Sequence, residues 1–307
     1  MMQQLARSTA RTAARASAIA PRAAAPRVPL RCAAAAAPAP GPRAAPRAGA
    51  AAAAAPARPR AAAAVAGRRR SVRVAAGWGD PVEFKPATVL SSSKAATQLH
   101  KVLIDVGPEI AAGYTKGGQY LQIKVGDSKP GFFAIASPPD PNNQGVLEFL
   151  IKAAGDTAEK LVALPPGAAV DVSPVQGKGF PIEKLDGADS VLIFATGSGI
   201  SPVRAVIESG ALEGKSTRLF WGTRSPEATA YAERIPEWRS LGVDVVQVFS
   251  EGDGGRYVQD AFASDKRLGA DPSKVSVLLC GQKPMSEAVR ALMAEAGVAE
   301  GAILTNF

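Results

Sequence analysis

The chain has 307 residues, with 36 basic side chains against 27 acidic ones and a formal net charge of +9. The first 79 residues hold 14 Arg and no Lys, Asp or Glu, which leaves 22 basic against 27 acidic residues from Asp80 onward, a net of about −5, so the charge implies no nucleic-acid surface beyond the leader. A single histidine, His100, and two cysteines, Cys32 and Cys280, exclude the usual zinc sites, a protein-held iron–sulfur cluster and a Ser-His hydrolase. Any redox chemistry then belongs to an organic cofactor.

Residues 1–76 are rich in Ala, Arg, Pro and Ser, the composition of an organelle transit peptide. The alanine runs at 33–37 and 50–55 are interrupted by Arg and Pro, and no stretch approaches the ~20 apolar residues of a membrane span. Val74-Ala75-Ala76 before Gly77 has the look of a stromal processing site, and a mitochondrial presequence is the competing reading. The expected location is the chloroplast stroma, with the mitochondrion as the alternative.

From residue 83 to about 182, short apolar or alternating stretches at 84–90, 98–106, 119–125, 131–137, 146–152 and 168–174 are separated by Gly, Pro and Asn, the spacing of an antiparallel β-barrel. A helix is predicted at 157–163. His100 falls in an alternating run and reads as a strand residue facing solvent. After a Pro/Gly/Asp stretch at 181–188, strands near 190–195, 217–221, 243–249, 275–280 and 302–305 alternate with helices near 201–209, 226–240, 256–264 and 284–296. That alternation predicts a doubly wound parallel sheet. The expected organisation is a leader over 1–76, a barrel domain over 83–184 and an α/β domain over 188–307.

Two glycine-centred segments carry the chemistry. Thr196-Gly197-Ser198-Gly199 and Cys280-Gly281-Gln282 each follow an apolar β-branched run and open a helix, placing backbone N–H groups where a dinucleotide's pyrophosphate or nicotinamide can approach. The first is not an ordinary Rossmann fingerprint, because Pro202 stands at its third glycine position and no acid follows about 20 residues on.

Thr-Gly-Ser-Gly-Ile-Ser-Pro-Val-Arg at 196–204 instead resembles the Gly-Gly-Thr-Gly-Ile-Ala-Pro-x-Arg loop of the ferredoxin–NADP reductase-like family. Trp221-Gly222-Thr223-Arg224, then Tyr231, Glu233 and Trp238, is similar to that family's second strand and helix. Ser250 with Arg256-Tyr257-Val258-Gln259 matches the segment that seats the adenosine end, and Cys280-Gly281 the turn beside nicotinamide. The resemblance covers about residues 83–307. It implies FAD on the barrel, NADP (or NAD) on the α/β domain, and Phe307 stacked over the flavin where nicotinamide lands, next to Cys280.

The barrel motif departs from the family. Its Arg-x-Tyr-Ser-Ile-Ala-Ser appears as Gly131-Phe132-Phe133-Ala134-Ile135-Ala136-Ser137, losing a cation on the FAD phosphate and a hydroxyl near flavin N5. Gly155-Asp156-Thr157 resembles the second phosphate contact, and Lys152 the neighbouring flavin strand. The function implied is a flavin-dependent oxidoreductase passing hydride or electrons between NAD(P)H and an unidentified acceptor, with no metal. A non-catalytic NAD(P)-binding or scaffold protein with a degenerate FAD site is the alternative.

Overall fold

Alternation of apolar and polar residues builds the first sheet, whose strands turn one face inward. In the computed structural model, which describes residues 82–252 and 254–306, these strands are β1 (Lys85–Ala96), β2 (Leu99–Asp105), β3 (Tyr120–Lys124), β4 (Gly131–Ala134), β5 (Val146–Lys152) and β6 (Ala169–Val172). The leader and Phe307 lie outside the described residues. All pairings are antiparallel, in the order β4-β3-β6-β1-β2-β5. Val89, Val102, Ile104, Leu121, Ile123, Phe149 and Val172 fill the interior with almost no exposure.

The barrel closes through a change of partner. The strand expected over 131–137 leaves the β3 ladder after Ala134: Ile135 bridges to Phe149, and the Ala136 N–H donates to the Glu148 carbonyl at 2.8 Å. This joins the two edge strands and removes the exposed edges. β1 is longer than the expected 84–90, extended by two register shifts. His100 is half-buried in β2 opposite Ile151, less exposed than its alternating run predicts. The short helix α1 (Pro108–Ala111), unpredicted, starts with a proline after Gly107 at φ 77°. The predicted 157–163 helix is α2 (Asp156–Val162).

The second sheet is parallel, in the order β11-β10-β7-β8-β9, built from β7 (Ser190–Thr196), β8 (Ser216–Thr223), β9 (Val243–Phe249), β10 (Val275–Cys280) and β11 (Ile303–Leu304). Its central strands are apolar throughout because helices cover both faces. The connecting helices are α3 (Ile200–Glu208), α4 (Ile235–Ser240), α5 (Val258–Asp265) and α6 (Lys283–Glu295). Only the last six residues of the expected 226–240 helix are α-helical. Pro226 and Pro236 lack the N–H a helix interior needs, and Tyr231 sits at φ 60°, so two 3₁₀ turns precede α4.

Phe194 and Phe220 stack on one face of this sheet, with Phe262 of α5 packed edge-on against both. On the other face, Val203 and Val206 of α3 share one apolar cluster with Ala96, Leu99, Ala136 and Leu150 of the barrel. The barrel and the parallel sheet are thus packed core to core, within one compact unit.

Candidate functional site

Strand order creates the site. β7 is followed by β8 on one side while β10 lies on its other side, so the connections diverge above the C-terminal ends of β7 and β10. A cleft of about 540 Å³ opens there. Of the predicted residues, Thr196, Gly197, Ser198, Arg224, Ser250, Arg256, Tyr257 and Gln259 line it from the parallel sheet, and Lys152 from the barrel. The turn Thr97-Gln98-Leu99 between β1 and β2 forms the barrel wall, with Gly222, Thr223, Gln282, Pro284 and Met285 completing the other side. Nothing local in the sequence marks residues 97–99 as a wall. The Gly281, Gln282 and Met285 helix start was legible from its glycine turn.

The glycines divide into two kinds. Gly197 adopts φ 53° with open space above it, so its backbone can meet a ligand directly. Gly199 and Gly281 are instead packing contacts. A Cβ at Gly199 would lie 2.4 Å from the Cys280 carbonyl oxygen, and one at Gly281 2.2 Å from the Thr196 hydroxyl oxygen and 2.5 Å from the Met285 methyl. The missing side chain of Gly199 thus lets the two glycine loops touch. Pro202, also predicted to bind cofactor, is buried in the first turn of α3 and does not line the cleft. The Thr196 hydroxyl accepts from the Gln282 N–H at 3.3 Å, tying the loops together above the sheet.

At the far end of the cleft the two lining arginines, Arg224 and Arg256, differ. Arg256 donates to the Asp260 carbonyl at 3.0 Å and to the Ser264 hydroxyl at 2.6 Å, so this donor nitrogen is spent along α5. Arg224 keeps 68% of its side-chain surface and lies 3.9 Å from Glu251, itself 63% exposed. Tyr257 is 61% exposed and caps α5, while the buried Oε1 of Gln259 has no partner in the protein. An unsatisfied amide oxygen in the wall fits a ligand that brings a donor, as an adenine amino group or a ribose hydroxyl does.

The predicted flavin residues lie outside this cleft, Lys152 excepted. Ile135 and Ala136 are fully buried, and Ser137 accepts from the Glu148 N–H on its hydroxyl and from the Tyr114 hydroxyl on its carbonyl. The strand that would carry a flavin ring is therefore rigidly held. Its phosphate end is different. The Phe133 ring folds back so far that a Cβ at Gly131 would touch it at 2.7 Å. The Gly155 N–H at the start of α2 donates to Glu159, Asp156 pairs with Lys160, and the Thr157 hydroxyl donates to the Lys129 carbonyl at 2.6 Å. These three residues, expected at an anion, are occupied internally. For a pyrophosphate tail this set offers no cation beyond Lys152. Next to the undescribed Phe307, Asn306 donates to the Gly118 carbonyl at 3.2 Å and leaves its Oδ1 buried without a partner, so the chain end crosses to the barrel.

Cys280 ends β10, partly covered, and burial pushes its thiol up to about 12. Burial thus keeps the thiol protonated, and so a weak nucleophile, at neutral pH. Because the folded value is raised above the ordinary 9, the stabilisation is complete below about pH 9 and is lost as pH climbs towards 12. At pH 8 its thiolate population is roughly a thousandfold below that of a free thiol, so iodoacetamide should leave Cys280 unmodified in the native chain and alkylate it in urea, as read by peptide mass spectrometry. Rapid native labelling would show an accessible thiolate. Among the described residues no group of His, Cys, Asp and Glu could hold a metal ion, and no helix is long and apolar enough to cross a membrane.

A closed antiparallel barrel packed on a doubly wound sheet, with a cleft at the switch point, is the two-domain fold of the ferredoxin NADP+ reductases. Residues 193–291 match the oxidoreductase NAD-binding domain family. The fruit protein pKIWI502 of Actinidia deliciosa is 35% identical over 233 residues, covering 69% of this chain and 73% of the relative. The electron transfer subunit of dihydroorotate dehydrogenase B (NAD(+)) from Bacillus velezensis is 25% identical, covering 66% and 77%. A ferredoxin NADP+ reductase from Neisseria gonorrhoeae, solved with bound FAD and NADP, superposes with a TM-score of 0.63 at 15% identity, covering 73% and 98%. The chain belongs to the family of this fruit protein, and its residues 193–291 form an oxidoreductase NAD-binding domain of the ferredoxin–NADP reductase-like superfamily.

Proposed function

We propose that this chain is an FAD-dependent NAD(P)H oxidoreductase, with residues 83–184 binding flavin, residues 188–307 binding the nicotinamide nucleotide, and electrons passing to a separate acceptor. The observation that carries this reading is the cleft itself: its floor is the C-terminal edge of the parallel sheet and its wall is the barrel turn 97–99 with Lys152, so a nucleotide seated there touches both halves. The kinds of relative fit the same reading, since they include electron-transfer subunits and NAD(P)H-flavin reductases.

Bound flavin supplies the centre that takes hydride and releases electrons singly or in pairs. The chain's own residues bind and orient. Backbone groups of Thr196, Gly197 and Ser198 at the head of α3 face the pyrophosphate, where the helix dipole favours an anion. Arg224 and Ser250 face a 2′-phosphate, and Gln259 accepts from the adenosine end. Phe133 and the 134–137 backbone seat the flavin, Cys280 presents an uncharged thiol, and the barrel wall keeps water from the cleft. No protein group need exchange the transferred hydrogen.

Flavin uptake tests the reading. Full chain mixed with FAD should bind it with micromolar rather than nanomolar affinity, because one charge-assisted bond and two ordinary ones are absent at 131–134, a loss of about two to four decades. The bound flavin should bleach under NADPH. A chain that binds NADPH but never flavin would make it a nucleotide-binding scaffold instead.

The acid-free leader supports a plastid branch and delivery to the stroma, the mitochondrion being the other destination that fits its composition. A chain starting near Gly77 is expected to fold with the full-length melting temperature, since residues 1–76 lack the apolar periodicity to add to a core. Failure of that shortened chain to fold would refute the leader assignment, and import assays with isolated chloroplasts and mitochondria decide the destination.

A further inference from the structure

Away from the cleft, the barrel and the parallel sheet share a buried network of charged groups. Glu148 stands mid-strand in β5 within Val146-Leu147-Glu148-Phe149-Leu150-Ile151, with its side chain 13% exposed. Its carboxylate accepts from Arg204 of α3, 10% exposed, and from the Tyr231 hydroxyl at 2.7 Å. The Arg204 guanidinium stacks over the Tyr231 ring at 4.5 Å and donates to Glu208 at 3.0 Å. Glu208, 7% exposed, also accepts from Trp238 at 3.0 Å and from Arg234 at 3.1 Å. Burial opposes charge on Glu208, yet these donors hold its carboxyl below the ordinary range, and Glu148 holds Arg204 above its own.

Such a network is a poor way to gain stability, because well-packed apolar side chains of similar volume do as well or better. Its placement offers another reason. The Glu148 backbone bonds both ways to the flavin strand: its carbonyl accepts from the Ala136 N–H and its N–H donates to the Ser137 hydroxyl. Arg204 lies in the helix that the Thr196-Gly197-Ser198-Gly199 loop opens. The apolar surface around them is non-directional and allows sliding; a planar guanidinium between two carboxylates does not.

We propose that Glu148, Arg204 and Tyr231 are positioning residues: a buried interdomain strut that fixes the nucleotide loop relative to the flavin strand, and with it the separation across which electrons pass. This rests on the proposed function for its kinetic consequence, but its geometric consequence stands apart. Glu148→Gln keeps shape and leaves Arg204 paired with Glu208, so the variant should fold.

Two readouts test it. In a Cys32→Ser background, spin labels at Asp127→Cys in the barrel and Ser240→Cys at the end of α4 should give one narrow distance distribution by pulsed electron spin resonance, and Glu148→Gln should broaden it. With FAD and NADPH supplied and ferricyanide as acceptor, Glu148→Gln should lower kcat by at least about tenfold while the dissociation constants of both cofactors stay within about twofold, as a misplacement of reacting groups does. Tyr231→Phe should lower kcat by a smaller factor in the same pattern. An unchanged distance distribution, or an unchanged kcat in an active protein, overturns the strut. If the wild-type chain passes no electrons at all, the functional reading fails and the distance measurement alone decides the strut.

Discussion

Replacing Gly199 by valine should weaken NADPH binding by at least about 100-fold, or roughly 2.7 kcal/mol, while flavin affinity is unchanged. The cause is contact between loops. A Cβ at 199 would sit 2.4 Å from the Cys280 carbonyl oxygen and 2.9 Å from its carbon. That carbonyl cannot retreat cheaply, because Cys280 is in register with Ala195 at the end of the β10–β7 ladder. The nucleotide loop has to move instead, carrying Thr196, Gly197 and Ser198 off the cleft. Alanine already brings the offending atom, so Gly199→Ala should cost about tenfold. Gly197→Ala separates strain from contact: it meets nothing within 4 Å and pays only the left-handed conformation, about 1 kcal/mol or fivefold. Calorimetric titration of the three variants checks the order, and equal affinities would reduce both glycines to turn residues.

Nucleotide preference should turn on Arg224 and Glu251 more than on Arg256. The residue types at 250–257 pull in opposite directions, Arg256 favouring a 2′-phosphate and Glu251 repelling one. In the structure one of its guanidinium nitrogens is engaged along α5, while Arg224 lies 3.9 Å from the exposed Glu251. An exposed pair of that kind contributes little, about 0–1 kcal/mol, so a dianionic phosphate displaces it readily. Arg224→Ala should lower the NADPH/NADH ratio of kcat/KM by roughly 10- to 30-fold, consistent with one charge-assisted contact. Glu251→Gln should raise it about fivefold by removing a repelling carboxylate. Arg256→Ala should change it by no more than about threefold. A collapse of the ratio in Arg256→Ala alone, or a wild-type preference for NADH, would dismiss this arrangement.

Parts of this molecule were readable before folding because their signals are local. The apolar runs at 190–194 and 275–279 are strands buried on both faces, and each ends in a glycine turn that opens a helix, so strand, turn and helix follow from neighbouring residues. Strand 146–152 was legible in full from its apolar run. The 226–240 segment misled because Ala, Glu and Arg favour helix while two prolines and the left-handed Tyr231 break it. Strand 131–137 misled for another reason, since its last residues find a partner in β5 rather than β3.

The sequence by itself determined the two kinds of sheet, their order along the chain, and the glycine loops that end strands and open helices, because periodicity and turn chemistry are properties of a few adjacent residues. Only the tertiary structure decided what those loops touch. Gly199 meets Cys280, Arg256 is drawn onto α5, and residues 97–99 become the wall of a cleft on the other sheet. Glu148 finds Arg204 56 positions away and Tyr231 83 away. A charged side chain takes as partner whichever opposite charge packing buries beside it, and that choice is fixed only when the two cores close on each other.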